Sequence, residues 1–198
     1  MLETERSVMT PKYYIIIDFE AVCGDNGWNK SNRMEIIEFA AIFTDKNFKV
    51  IKEFDEFIQP VENPILTDYC KNLTTIKQAD VDNADTFDKV LSRFVSYMKS
   101  ISQNKDDFLF CSWGRYDLKQ LTSDCELHNV QYPFNHLHCN LKEITAKKVG
   151  CGKKHNGMEN MLKYLGLTLD GTHHRGIDDC RNILKICRKS QLSLKDMI

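Results

Sequence analysis

Residues 12–19, Lys-Tyr-Tyr-Ile-Ile-Ile-Asp-Phe, form a β-branched and aromatic run of strand length that is apolar on both faces. Such a strand belongs in the middle of a sheet, covered on both sides. It runs into two carboxylates, Asp18 and Glu20, and strand side chains two positions apart point to the same face. Carboxylates there are costly to bury unless something compensates them. The pair therefore marks either a strand end that has reached solvent or a place that asks for a cation. With 28 acidic residues in 198, about one D-x-E pair arises by chance, so the pair alone decides nothing. A second one, Asp124-Cys-Glu126, falls in a segment that reads as helix, where residues two apart do not face each other, and is expected on the surface.

The rest of the chain supplies a sheet around that strand. Residues 35–44 and 48–58 are strand-like and flank the short turn Asp45-Lys46-Asn47, which gives an antiparallel three-strand meander. Beyond it the period changes. Phe87, Val90, Leu91, Phe94, Val95, Met98 and Ile101 recur at helical spacing behind Asp85 and Thr86. A strand at 108–112, a helix from Asp117 and a weak strand at 137–141 follow. Asn156 and Glu159 resemble a capping box for a helix ended by Gly166, and a last helix covers 177–188. The order implies an α/β fold, a mixed sheet with helices on both faces. With 42% hydrophobic residues and nothing resembling a linker or repeat, one domain over residues 1–198 is expected.

A crossover helix makes the strand at 108–112 parallel to the first, so Asp117 and the Asp18/Glu20 pair lie at carboxyl ends of parallel strands, where α/β sites form. Asp117 also reads as a helix N-terminal charge favoured by the dipole. His174, Gly176 and Asp179 form H-x-G-x-x-D, a pattern that arises about 0.04 times by chance in this composition. Projected at 100° per residue, Asp179 borders the apolar face of the last helix and Asp178 faces water.

These residues resemble the DEDDh 3′-to-5′ exonucleases of the RNase H-like (exonuclease/RNase T) superfamily, closest to the Eri-type (3′ histone-mRNA) and KapD-like branch. Asp18-Phe-Glu-Ala21, Glu35-Ile-Ile-Glu-Phe39, Ser112-Trp-Gly-Arg-Tyr-Asp117 and His174-Arg-Gly-Ile-Asp-Asp179 carry the likeness, which spans about residues 12–188. The resemblance implies a central five-stranded mixed sheet. It also implies that Asp18, Glu20, Asp117 and Asp179 hold two Mg²⁺ or Mn²⁺ ions and that His174 is the general base. Tyr116 would stack on a terminal base, with backbone near Phe19 and Ala21 close to the last nucleotide. The function implied is hydrolysis of single-stranded RNA or 3′ overhangs to nucleoside 5′-monophosphates. A DNA-directed exonuclease and a non-catalytic nucleic-acid-binding domain are the alternatives.

The net charge of −1 supplies no overall field toward nucleic acid, so a polyanionic partner needs a local site. Lys142, Lys147, Lys148, Lys153, Lys154 and His155 form the only dense basic stretch, either a phosphate track or a solvated loop. His136, His138, Cys139, Cys151 and His155 match no usual zinc spacing. The loop at 22–33, with Trp28, is long enough to border an active site. The eight cysteines include no C-x-x-C pair and are expected to be reduced and mostly buried. The polar start and the shortness of the apolar run at 13–17 lead us to expect an intracellular chain without signal peptide or membrane partner.

Overall fold

The first apolar run forms β1 (Tyr13–Ala21), in which Tyr14, Ile15, Ile16 and Ile17 are fully buried. The computed structural model describes residues 10–25, 27–28, 32–135, 138–152 and 157–197. β2 (Ile36–Asp45) pairs antiparallel with β1, and β3 (Val50–Phe57) antiparallel with β2. In the turn between them the Asp45 carboxylate accepts the amides of Asn47 and Lys49 at 2.8 and 2.9 Å. β4 (Phe108–Ser112) lies parallel to β1 and β5 (His138–Asn140) parallel to β4, giving the order β3-β2-β1-β4-β5. This is the five-stranded mixed sheet expected from the sequence, a meander extended by two parallel strands.

Between β3 and β4 come α1 (Asp68–Thr74), α2 (Gln78–Asp82) and α3 (Phe87–Ile101). α4 (Tyr116–Leu127) joins β4 to β5, and α5 (Leu141–Val149), α6 (Met158–Tyr164), α7 (Gly176–Lys189) and α8 (Leu194–Met197) follow. Alternation along β1 sorts the core into two layers. Ile15, Ile17 and Phe19 pack with Phe87, Val90 and Phe94 of α3 and Leu121 and Cys125 of α4. Tyr14 and Ile16 pack on the other face with Met161 and Leu162 of α6 and Cys180, Ile183 and Cys187 of α7. Asp18 and Glu20 continue the Tyr14/Ile16 side and therefore face α7. Gly176 lets that helix start against the sheet, because a Cβ there would lie 2.7 Å from the Asp18 carbonyl oxygen and 2.9 Å from the Ala40 Cβ.

Four helices escaped the sequence reading for one reason, namely that they bury too little to show a period. α1 buries Cys70 and Thr74, α2 only Val81, α5 Leu141 and Thr145, and α8 only Met197. Local bonds start two of them: the Thr67 side chain accepts from the Cys70 amide, and Asn140 from the Glu143 amide. Asn156, expected to cap α6, lies outside the described residues; Glu159 pairs with Lys163. All eight cysteines are free thiols and all but Cys151 are buried. Among the described residues no helix is long and apolar enough to cross a membrane.

Two expectations need correction. Asp178 does not simply face water: its side chain is 23% exposed, pairs with Arg181 at 3.2 Å and accepts the Thr172 amide at 2.9 Å. Asp124 is not a surface residue but 1% exposed. Its Oδ1 accepts the Ile36 amide at 3.1 Å and its Oδ2 accepts Gln120 Nε2 at 2.6 Å. Glu126, on another face of the helix, is exposed as expected. Helical geometry separated the two acids correctly but could not show that a strand 88 residues away offers an amide in need of an acceptor. Burial pushes the Asp124 carboxyl up to about 7. Asp124→Ala, which orphans the buried Ile36 amide, is expected to lower unfolding free energy by about 1–3 kcal/mol in urea titrations. Asp124→Asn keeps an acceptor and should cost less; equal stability of the alanine variant and the parent would refute this role.

Candidate active site

Three elements bring the acidic residues together. β1 presents Asp18 and Glu20 on one face, with Glu20 8% exposed and opposite Glu38 of β2 in the ladder. The first turn of α4 supplies Asp117, 4% exposed, whose Oδ1 accepts the Phe19 amide at 3.0 Å and so ties α4 to the end of β1. The first turn of α7 supplies Asp179, 4% exposed, which accepts His173 Nδ1 and the His174 amide, each at 3.0 Å. One oxygen from each of Asp18, Glu20 and Asp179 lies within 4.8 Å of the others, and His173, His174 and Asp179 form a second group by the same measure. The rings of His173 and His174 stack with centroids 4.0 Å apart.

The electrostatics of this cluster are those of too many acids with too little water. Desolvation, followed by the charges of Asp117, Glu20, Asp179 and Glu38, pushes Asp18 well above the usual carboxylate range. Burial, then Glu38, Asp179 and Asp117, pushes Glu20 up to about 9. Asp117 is raised by burial to about 6, held back by the amide of Phe19. Asp179 is also raised by burial, with His173 and the His174 amide acting against the rise. His174 is shifted the other way, lowered by burial and by the adjacent His173, which favours its neutral ring. No described residue donates a hydrogen bond to the carboxylates of Asp18 or Glu20.

That last observation tests whether divalent cations fit. Among the described residues, the other buried acids are supplied with donors. Glu35 takes the amides of Val61, Glu62 and Asn63 at 2.7, 3.0 and 2.8 Å, and Glu38 takes Arg175 and the Gly176 amide. Asp18 and Glu20 have no such donors, face two further acids, and present only oxygen ligands, the donor set preferred by hard cations such as Mg²⁺ and Mn²⁺. The residues fit the ions.

The acids open into a cleft of about 370 Å³. Every residue that the sequence reading assigned to the site lines it: Asp18, Phe19, Glu20, Ala21, Tyr116, Asp117, His174 and Asp179. His173 lines it too, as do Met34, Tyr69, Leu73, Trp113 and Met158, which form an apolar wall that the sequence reading missed. Tyr69 and Leu73 sit on α1, whose weak pattern gave no signal. Tyr116, 44% exposed, starts α4 beside Asp117. The loop after β1 borders the cleft through Cys23 and Met34, while Asn26 and residues 29–31 lie outside the described residues.

Other sequence features lie elsewhere. Lys142, Lys147 and Lys148 do not line the cleft, and Lys148 pairs with Asp196 of α8 at 3.0 Å; Lys153, Lys154 and His155 lie outside the described residues. His138 bonds to the Ser112 hydroxyl at 2.9 Å and is lowered to about 4 by burial and the nearby Arg115. Among the described residues, His138, Cys139 and Cys151 take part in no group of three metal ligands, and His136 lies outside them.

A family model described as an exonuclease, RNase T, matches residues 15–187. Human 3′-5′ exoribonuclease 1 is 33% identical over 178 residues, covering 88% of this chain and 51% of that protein. ERI1 exoribonuclease 2 of Xenopus laevis is 30% identical over 211 residues, covering 94% of this chain and 30% of that protein. The chain thus spans about half or less of the length of these relatives. The nuclease domain of 3′hExo, a DEDDh family member solved bound to rAMP, superposes with a TM-score of 0.84 at 31% identity, covering 90% of each chain. The cell-death related nuclease CRN-4 superposes with a TM-score of 0.81 at 29% identity over 90% of this chain and 63% of that one. The donor-poor acids on β1, their partners on α4 and α7, and these likenesses agree: the chain belongs to the RNase T exonuclease family, as a DEDDh member of the ERI1 and 3′hExo kind.

Proposed function

We propose that this chain is a metal-dependent 3′-to-5′ exoribonuclease, a single exonuclease domain over residues 1–198 with its core at about 12–188. The observation that carries the reading is the convergence of Asp18, Glu20, Asp117 and Asp179 on one cleft beside His174, with two of the acids lacking donors. Asp18, Glu20, Asp117 and Asp179 would hold two Mg²⁺ or Mn²⁺ ions. Bound there, such ions supply charge neutralisation and Lewis-acid activation of an attacking water and of the departing 3′ oxygen of a phosphodiester. His174 is the general base: its lowered pKa keeps the ring neutral, able to take the proton of the water. Tyr116, 44% exposed, lines the cleft and would stack on the terminal base, with Phe19 and Ala21, which also line it, close to the last nucleotide. Stacking tolerates any base, so the products would be nucleoside 5′-monophosphates of every kind.

RNA is favoured over DNA by the company the chain keeps. One solved relative, 30% identical, is a 3′-exonuclease recognising the 3′ end of a histone mRNA stem-loop. A scaffold that had lost its chemistry would have lost an acid or the histidine, and none of the five is missing.

A 3′-labelled single-stranded RNA should be shortened from its 3′ end in Mn²⁺. His174→Ala and Asp18→Asn should each lower the rate about 10²- to 10⁴-fold. A time course on RNA, DNA and hybrid substrates of one sequence distinguishes the RNA reading from the DNA one, and intact strands throughout would refute both.

The proposed ion site also makes stability depend on pH. Glu20 binds its proton more tightly folded than unfolded, so it weakens the fold progressively as pH rises from its ordinary value of 4.5 to about 9. Glu20→Gln removes that loss. In metal-free buffer its melting temperature should gain on the parent as pH rises from 5 to 9, and saturating Mn²⁺ should shrink or reverse the gain. Parallel melting curves without metal would contradict it.

A further inference from the structure

His174 has a backbone φ of 63°, in the left-handed region that residues with a Cβ occupy only when their surroundings hold them there. On one side the hold is plain: the His174 amide donates to Asp179 at 3.0 Å. On the other side stands Arg175. Its guanidinium reaches across to β2, Nε lying 3.2 and 3.3 Å from the two oxygens of Glu38 and Nη2 3.1 Å from Oε1. The Gly176 amide donates to Oε2 of the same carboxylate at 3.1 Å, and the guanidinium carbon lies 5.3 Å from the centre of the Phe57 ring. Asp55 on β3 also faces Glu38: burial, and then the charge of Glu38, pushes its carboxyl up to about 6. Glu38 is 0% exposed, and neither Glu38 nor Arg175 lines the cleft.

A buried ion pair contributes little net stability, because desolvation offsets most of the attraction, yet it fixes geometry through its directional bonds. Building on the reading of His174 as the general base, we propose that Glu38 and Arg175 are positioning residues. They clamp the two residues after His174 onto β2 and thereby set the direction of its imidazole. Arg175 and Gly176 are held by one carboxylate while Asp179 holds His174, so the left-handed residue is fixed at both ends. The two clamping residues act through His174 and do not line the cleft; because the charge of Glu38 also reaches Asp18 and Glu20, Mn²⁺ binding is read beside kcat.

The test is steady-state kinetics on single-stranded RNA in saturating Mn²⁺, with melting temperatures and calorimetric Mn²⁺ titrations of the same proteins. His174→Ala is the reference. Arg175→Met and Glu38→Gln should lower kcat about 10- to 100-fold with KM within about two-fold of the parent, as expected for a misdirected catalytic group. Mn²⁺ stoichiometry should be unchanged, and Arg175→Lys should recover part of the loss. If His174→Ala is inactive while Arg175→Met and Glu38→Gln keep the parent kcat, the clamp is refuted and the base assignment survives. Full activity of His174→Ala refutes the base assignment itself. Loss of Mn²⁺ binding with kcat would place Glu38 in the ion site, and a loss matching only the unfolded fraction would make the pair structural; either overturns the proposal. Should Arg175→Met not fold, the milder Glu38→Gln and Arg175→Lys decide it by the same criteria.

Discussion

Bringing carboxylates together away from water is the constraint around which the rest of this fold is arranged. Like charges a few ångströms apart repel strongly in a medium of low polarisability, and each acid also forfeits its hydration. The chain does this where β1 ends and two helices begin. Asp117 and Asp179 each sit in a first turn, so the partial positive charge of a helix N-terminus acts on both. Each also accepts a backbone amide, from Phe19 and His174 respectively. Asp18 and Glu20, on a strand, have neither aid from the described residues. The cluster is therefore incomplete by its own electrostatics, as expected of the cation site proposed above.

The sheet topology makes that meeting possible. β1 and β4 run parallel, so the carboxyl end of β1 and the turn into α4 lie at the same edge. α7 can deliver Asp179 only by starting hard against β1, which the missing side chain of Gly176 allows. Cys180, one residue beyond Asp179, then directs its thiol to the carbonyls of Ile16 and Ala40 at 3.5 and 3.7 Å. A bulky residue at either position would push Asp179 away from its partners.

Much of this was legible in the sequence, and the reason is periodicity. β1 and α7 are long and strongly patterned, so alternation placed Asp18 and Glu20 on one face, and the 100° projection chose Asp179 over Asp178 as the acid bordering the core. Asp18, Glu20, Asp117, His174 and Asp179, all marked in the sequence, line the cleft together with His173, which was not. What the sequence could not show lies in contacts between distant segments. α1 carries Tyr69 and Leu73 to the cleft yet has only seven residues and two buried ones. Glu38 sits inside an apolar strand, and only the structure shows that its charge is answered by Arg175, 137 positions away.

Asp124 gives the sharper lesson, because it begins the same D-x-E pattern as Asp18 and is the more deeply buried of the two. The difference is supply of donors. Asp124 receives the first amide of β2 and a glutamine that also holds the Met34 carbonyl at 2.6 Å, so its oxygens serve the backbone. Among the described residues Asp18 receives no donor, and it meets four other acids, Asp117, Glu20, Asp179 and Glu38. Burial alone therefore does not mark a functional carboxylate, and neither does a raised pKa, since burial pushes Asp124 up to about 7. An acid removed from water and given no donor by the fold is the one left to find its partner outside the chain.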